Sequence, residues 1–217
     1  VGENEVAEKN YTLSVVERLG FARCRMSLAI PKTKDYPGLT WFEGKRIATS
    51  YPGVLSRFFE EKEINVDIHQ ISGSVEIAPG IGLADAIFDI VSTGSTLISN
   101  GLQEVATVLH SEAIIISRKQ LPETKEAILE KLLFRIRAVQ KAANNKYVVL
   151  NAPNHKLARI VSMIPGMKSP TVMNLADEGW SSVHSVLSEN EFWEVIDRLK
   201  AEGAQGILVM PVEKMIV

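Results

Sequence analysis

Asp89-Ile90-Val91-Ser92-Thr93-Gly94-Ser95-Thr96-Leu97 sets four hydroxyls, on Ser92, Thr93, Ser95 and Thr96, within five residues, directly after an apolar run. Hydroxyls and backbone N–H groups are the donors a phosphate needs. Gly94 permits positive φ or close backbone approach to a ligand. A short helix beginning after it would add free N–H groups and a positive dipole end. Asp89, just ahead, is placed to accept hydrogen bonds from the hydroxyls of a sugar. The pattern describes an anion cradle for a sugar phosphate. The same letters also spell an ordinary strand-to-helix turn with a Ser/Thr cap.

Two other strand ends carry similar groups. Gly73-Ser74-Val75-Glu76 opens a short helix, so Glu76 is either a ligand-facing acid or a helix-start acid. Thr49-Ser50-Tyr51-Pro52 leads into another helix and reads first as a plain N-cap. Several such loops facing one crevice would carry more weight than any one. The four histidines, His69, His110, His155 and His184, lack the spacing of a zinc site. No nucleophile elbow and no Walker loop is present. Lys45-Arg46 reads as a solvated pair.

Positioning the cradle requires strands that end together. Cys24–Ile30, Arg46–Ser50, Ile64–Ile71, Ala86–Val91 and Val105–Arg118 are apolar or alternating and predict strands. Helices are predicted after Tyr51 and over Val75–Ile81. This alternation argues for an α/β unit with a mostly parallel sheet, whose ligands bind beyond the strands' C-terminal ends. Pro122–Asn144 is predicted as a helix with the stripe Ile128, Leu132, Ile136, Val139 and Ala143. Asn144-Asn145-Lys146 marks a boundary. The remaining residues read β-α-β-β-α-β, a ferredoxin-like α+β domain, with Asn154 as a helix cap and Ser188-x-x-Glu191 as a capping box.

The 217 residues are 46% hydrophobic and 23% charged with a net charge of −2, which excludes a disordered chain and gives no basic footprint for nucleic acid or a membrane surface. Cys24 is the only cysteine, so no intrachain disulfide can form, and a reducing, cytoplasmic setting is expected. No apolar run is long enough to span a bilayer.

From Gly82 to Leu97 the sequence closely resembles the signature of the ATP phosphoribosyltransferases, which catalyse the first step of histidine biosynthesis. The resemblance extends through Gly44–Pro52, Gly73–Glu76 and Asn100-Gly101-Leu102. Pro165–Thr171 resembles the regulatory domain of the family's long form. It implies transfer of phosphoribosyl from phosphoribosyl pyrophosphate to N1 of ATP, with Mg²⁺ carried by the substrate. Ser92–Leu97 would hold the ribose 5-phosphate. Asp89 would face the ribose hydroxyls with Glu76 and Asp85 nearby, and Tyr51 would lie beside the nucleotide. No general base is assigned. Histidine would bind as a feedback inhibitor at Asn151, Met167, Thr171 and Gly206, in a homo-oligomer, dimer or hexamer.

The fold so implied is α/β: a two-lobed, periplasmic-binding-protein-like catalytic region over 1–145 and a regulatory domain over 146–217. Lobe two would cover about 22–80. Lobe one would retain about 1–20 and 80–118, with 122–144 as a linker helix. Because Val1-Gly2-Glu3-Asn4 matches the family only at the exit of lobe one, that lobe is expected to be incomplete, Ala86–Val91 to lie without strand neighbours, and the chain to be an inactive fragment. The alternatives are a non-catalytic small-molecule-binding protein and a regulatory subunit.

Overall fold

The computed structural model describes residues 1–9 and 11–216. The chain forms two compact units, Val1–Leu121 and Pro122–Val217. The division falls ahead of the long helix rather than at residue 145.

The first unit is built on a five-stranded sheet of β2 (Cys24–Pro31), β3 (Arg46–Thr49), β4 (Asp67–Gln70), β5 (Ala86–Val91) and β6 (Leu102–Ser111), in the order β4-β3-β5-β2-β6. Strand β3 runs parallel to β4 and β5, and β2 is antiparallel to both β5 and β6. Four strands therefore share one direction, and β2 is inserted against them. The expectation that Ala86–Val91 has no neighbours is wrong: β5 is the central strand, paired with β3 and β2. Residues 22–80 and 80–111 build one sheet, not parts of two lobes. The misreading came from assigning strands by order along the chain, whereas the β5 sequence is apolar on both faces, as a central strand must be.

Alternate residues of the sheet enter two cores. Met26, Leu28, Ile30, Ile47 and Phe88 pack with Phe42 and with Leu55 and Phe59 of α2 (Pro52–Glu60). On the other face Ala29, Ala48, Ile87 and Val91 pack with Val75, Leu97 and Leu102. Leu97 belongs to α3 (Ser95–Ser99), so the segment after β5 is anchored through one buried side chain. Helix α1 (Glu3–Lys9) lies against α2, where the Glu8 carboxylate accepts the Gly53 and Val54 N–H groups, both at 2.8 Å. A Cβ at Gly53 would meet the Glu8 carbonyl oxygen at 2.8 Å, which explains glycine there. A separate antiparallel pair joins β1 (Leu13–Arg18) to β7 (Ile114–Arg118).

In the second unit α4 (Glu123–Ala143) precedes an antiparallel sheet of order β11-β8-β10-β9. The strands are β8 (Asn145–Pro153), β9 (Thr171–Asn174), β10 (Trp180–Ser188) and β11 (Gln205–Pro211). With α5 (Leu157–Met163) and α6 (Glu189–Ala201) this is the expected ferredoxin-like order. The sheet and the two helices close a core of Val148, Leu150, Ile160, Val183, Phe192 and Leu199. The Ser188–Glu191 capping box forms in both directions. Asn154 does not cap: its side chain accepts from Ser181 Oγ at 2.7 Å and donates to the Glu178 carbonyl at 2.9 Å. In α4 the buried residues are Leu133, Ala138 and Ala142, and Ile128, Leu132 and Val139 of the expected stripe are exposed. Among the described residues no helix is long and apolar enough to cross a membrane.

Candidate functional site

Because β3, β4 and β5 are parallel, the loops that follow them emerge at one edge of the sheet. These are the three segments singled out by their chemistry. After β5 the chain turns at Gly94, whose φ is +82°, and enters α3. Thr93 and Ser95 hydroxyls lie 3.0 Å apart, and the Thr93 hydroxyl accepts the Ser95 N–H at 3.4 Å. Helix α3 has only five residues, so its dipole is small and the donors themselves, hydroxyls and N–H groups, must do the binding. Leu97 takes part as the buried anchor of this loop rather than as a donor.

Ser92, Thr93, Gly94, Thr96 and Leu97 line a cavity of about 260 Å³ together with Asp89, Val91 and Glu76. Glu76 arrives from the loop after β4, where Gly73 and Ser74 both take positive φ before the turn of Val75–Ile77. Two carboxylates thus face a cluster of donors. Burial raises the carboxyl of Asp89 above its ordinary range, and the charge of Glu76 adds to this, against the Ile90 N–H that Asp89 accepts at 2.7 Å. Tyr51 stands at the end of β3. Burial raises its phenol first, with the charges of Glu5 and Asp89 adding, which puts it in electrostatic reach of the same site.

Asp85 is not brought there. It precedes β5, at the opposite end of that strand from the cradle, and its carboxylate binds the Arg46 side chain at 3.0 and 3.2 Å and the Arg46 N–H at 3.0 Å. The hydrogen bond from Arg46 holds its carboxyl below the usual range. Arg46 is therefore a structural partner rather than a solvated charge, and Lys45 lies 5.5 Å from the centre of the Trp41 ring.

A group that sequence reasoning missed lies beside the cradle. Arg25 of β2 pairs with Val91, the last residue of β5. Its guanidinium donates to the Ser92 carbonyl at 3.0 Å and grips Glu104 of β6 through Nε and Nη2, both at 2.5 Å. Ser27 Oγ donates to the same carboxylate at 2.7 Å. No local signal links Arg25 to Glu104, because the contact spans 79 positions. The hydrogen bond from Arg25 brings the Glu104 carboxyl down to about 2. A carboxyl depressed by folding stabilises the fold fully above its unfolded pKa, about 4.3, and that contribution is lost as pH falls through about 2. Urea unfolding should show the native state weakening across this window, and the decline should be shallower in Glu104→Gln. Equal slopes would contradict the assignment.

In the second unit Asn151 and Gly206 are neighbours. A Cβ at Gly206, whose φ is +56°, would stand 3.1 Å from Asn151 Nδ2. Thr171, on β9 and two strands from β8, pairs with His184 of β10, while Met167 lies exposed in the preceding loop. Asn151 is level with Ser182 of β10 and Thr171 with His184, so the two share the sheet face that the helices leave open, about 12 Å apart: two strand spacings across and two residues along.

A family model described as ATP phosphoribosyltransferase matches residues 1–138, and one described as HisG, C-terminal domain, matches residues 142–214. The chain is 62% identical over 217 residues to the ATP phosphoribosyltransferase of Phocaeicola vulgatus and 58% identical to that of Bacteroides thetaiotaomicron. In both cases all of this chain and 77% of the relative are covered. Among solved structures, a chain of the ATP phosphoribosyl transferase (HisG:HisZ) complex from Thermotoga maritima is similar with a TM-score of 0.58 and 31% identity, covering 64% of this chain and 68% of that one. Agreement along both units, at this identity, fixes the parentage: the chain belongs to the ATP phosphoribosyltransferase family, the phosphoribosyltransferases that open histidine biosynthesis.

Proposed function

We propose that the cavity bounded by Ser92–Leu97, Asp89 and Glu76 is the phosphoribosyl pyrophosphate site of this chain, and that ATP enters beside Tyr51. The observation that carries this reading is the convergence of a hydroxyl-rich loop with two carboxylates in one cavity. A phosphate takes donors only, and ribose hydroxyls donate to acceptors, so the two halves of the cavity match the two ends of a ribose phosphate. The loop N–H and hydroxyl groups hold the 5-phosphate. Asp89 and Glu76 accept from the ribose hydroxyls and place negative charge beside a ring that becomes positive as its C1–oxygen bond breaks. The N1 lone pair of ATP forms the new bond at C1, and the electron pair of the broken bond leaves with pyrophosphate. Orientation of the two substrates is the main contribution asked of the protein.

Among the described residues no three His, Cys, Asp or Glu side chains form a metal-binding group. The two carboxylates at the cavity fit a magnesium ion that is held mainly by substrate oxygens and water, as Mg²⁺ commonly is. When bound, such an ion neutralises charge on the departing pyrophosphate. Asp85, tied to Arg46, is left out of this assignment.

Thr96→Ala tests the cradle. A hydrogen bond to a charged group is worth about 1.5–3 kcal/mol, so the dissociation constant for phosphoribosyl pyrophosphate should rise at least tenfold in a calorimetric titration. An unchanged constant removes the loop from the site.

Histidine is assigned to residues 146–217 as an inhibitor, with Asn151, Gly206, Met167 and Thr171 as its contacts. The adjacency of Asn151 to Gly206 and the shared open face with Thr171 support this. Asn151 offers hydrogen bonds to an amino group but no charge. Thr171→Val should raise the dissociation constant for histidine about tenfold, the loss of one good hydrogen bond, and leave phosphoribosyl pyrophosphate binding unchanged. Loss of both would place Thr171 elsewhere. The free Cys24 agrees with a cytoplasmic setting, and assembly into dimers or hexamers belongs to the same proposal.

A further inference from the structure

The polar cluster of Arg25, Ser27, Glu104 and Thr107 lies on the sheet face that otherwise carries the Ala29, Ile87 and Leu97 core. A core needs no such cluster, and assembling an ion pair there costs desolvation that a simple apolar patch would avoid. Its position accounts for it. Arg25 stands level with Val91, where β5 ends, and reaches one residue further to the Ser92 carbonyl, the first of the cradle. The guanidinium also lies close to Gly94, where a Cβ would stand 4.0 Å from Nη2.

Three of the five guanidinium N–H groups are committed, two to Glu104 and one to Ser92. The Glu104 carboxylate accepts from Ser27 Oγ at 2.7 Å and from Thr107 Oγ1 at 3.3 Å as well. Arg25 cannot swing without breaking a bidentate pair, and Glu104 cannot swing without leaving two hydroxyls. The geometry points to Arg25 and Glu104 as positioning residues. They hold the Ser92 carbonyl toward the sheet, so that the peptide groups that follow keep their N–H groups on the cavity side before substrate arrives.

The advantage is entropic. A hydroxyl-rich loop on a five-residue helix would otherwise sample several turns, and ordering it on binding would subtract from affinity. Fixing the first carbonyl sets the direction of the chain into Gly94. Lysine cannot replace Arg25 here, because one ammonium cannot fork a carboxylate and also reach the carbonyl in a fixed plane. The inference rests on the phosphate-binding reading of Ser92–Leu97, and its test is arranged to separate the two.

Arg25→Lys, Arg25→Met and the near-isosteric Glu104→Gln are compared with the unsubstituted chain. Calorimetry measures phosphoribosyl pyrophosphate and ATP separately, and amide hydrogen exchange is followed without ligand. In each variant the dissociation constant for phosphoribosyl pyrophosphate should rise about tenfold or more, that for ATP should stay within about twofold, and the amides of Thr93–Thr96 should exchange several-fold faster. Full affinity in Arg25→Lys would show that charge alone suffices and would overturn the positioning role. So would unchanged loop exchange in Glu104→Gln, or equal losses for both ligands. If the unsubstituted chain binds no phosphoribosyl pyrophosphate, the functional reading falls, and the exchange comparison still decides whether the pair orders the loop.

Discussion

Gly94→Val should raise the dissociation constant for phosphoribosyl pyrophosphate at least a hundredfold, the largest loss expected from a single change at the site. Gly94 sits at φ +82° and ψ 0°. A β-branched residue is a genuine outlier there, and holding it costs about 1–3 kcal/mol. The site does not hold it. The loop is fixed at one end by Val91 and Arg25, which a new Cβ would approach at 3.8 and 4.0 Å, and at the other by buried Leu97. Relief of the strain must therefore turn the peptide groups around Gly94, and with them the N–H groups of Gly94 and Ser95. Two misdirected donors to a charged group account for a hundredfold, about 2.8 kcal/mol at about 1.4 kcal/mol per decade. Gly94→Asn is the informative companion, because Asn tolerates left-handed backbone. It should keep most of the affinity that Val loses. Comparable losses in both would mean that the ligand approaches the backbone too closely for any side chain.

Phe88→Ala should destabilise the first unit by about 3–5 kcal/mol, the range for truncating a fully buried aromatic ring. Phe88 has no exposed surface and lies in the middle of the central strand, against Phe42, Phe59 and Leu55. Truncation leaves a void between the sheet and α2 that backbone paired on both sides cannot collapse to fill. Urea titration followed by tryptophan fluorescence reads this directly, since Trp41 packs against the same core. A loss under about 1 kcal/mol, the size of a surface effect, would mean that β5 is not central. The same placement, with β5 paired on both sides, means that the Ala86–Val91 amides should be among the slowest to exchange in the unit.

What could be read from residues alone follows a physical division. The strand, glycine turn and short helix of residues 86–99 were legible because their signals are local: hydroxyls, a glycine and a strand end lie within nine positions. The C-terminal domain was legible because its helices carry short-period signals, and its capping box formed as written. The strand order of the first unit was not, because β5 pairs with β2, some sixty positions away, and nothing within Ala86–Val91 names its neighbour. Arg25 and Glu104 escaped for the same reason. Asp85 was misplaced because adjacency to the cradle along the sequence hides the length of β5, which carries it to the far end of the strand. The α4 stripe was periodic, yet periodicity does not say which face meets a partner. The helix buries Leu133, Ala138 and Ala142 instead, and its Ala138 carbonyl accepts the Met215 N–H from the C-terminal segment.

The central claim is that Ser92–Leu97 holds the phosphate of phosphoribosyl pyrophosphate. Amide hydrogen exchange of the 217-residue chain, with and without that compound, tests it most directly. The account predicts slowed exchange across Thr93–Leu97, with the second unit unchanged. Protection confined to residues outside the cavity, with Thr93–Leu97 exchanging as before, would contradict it.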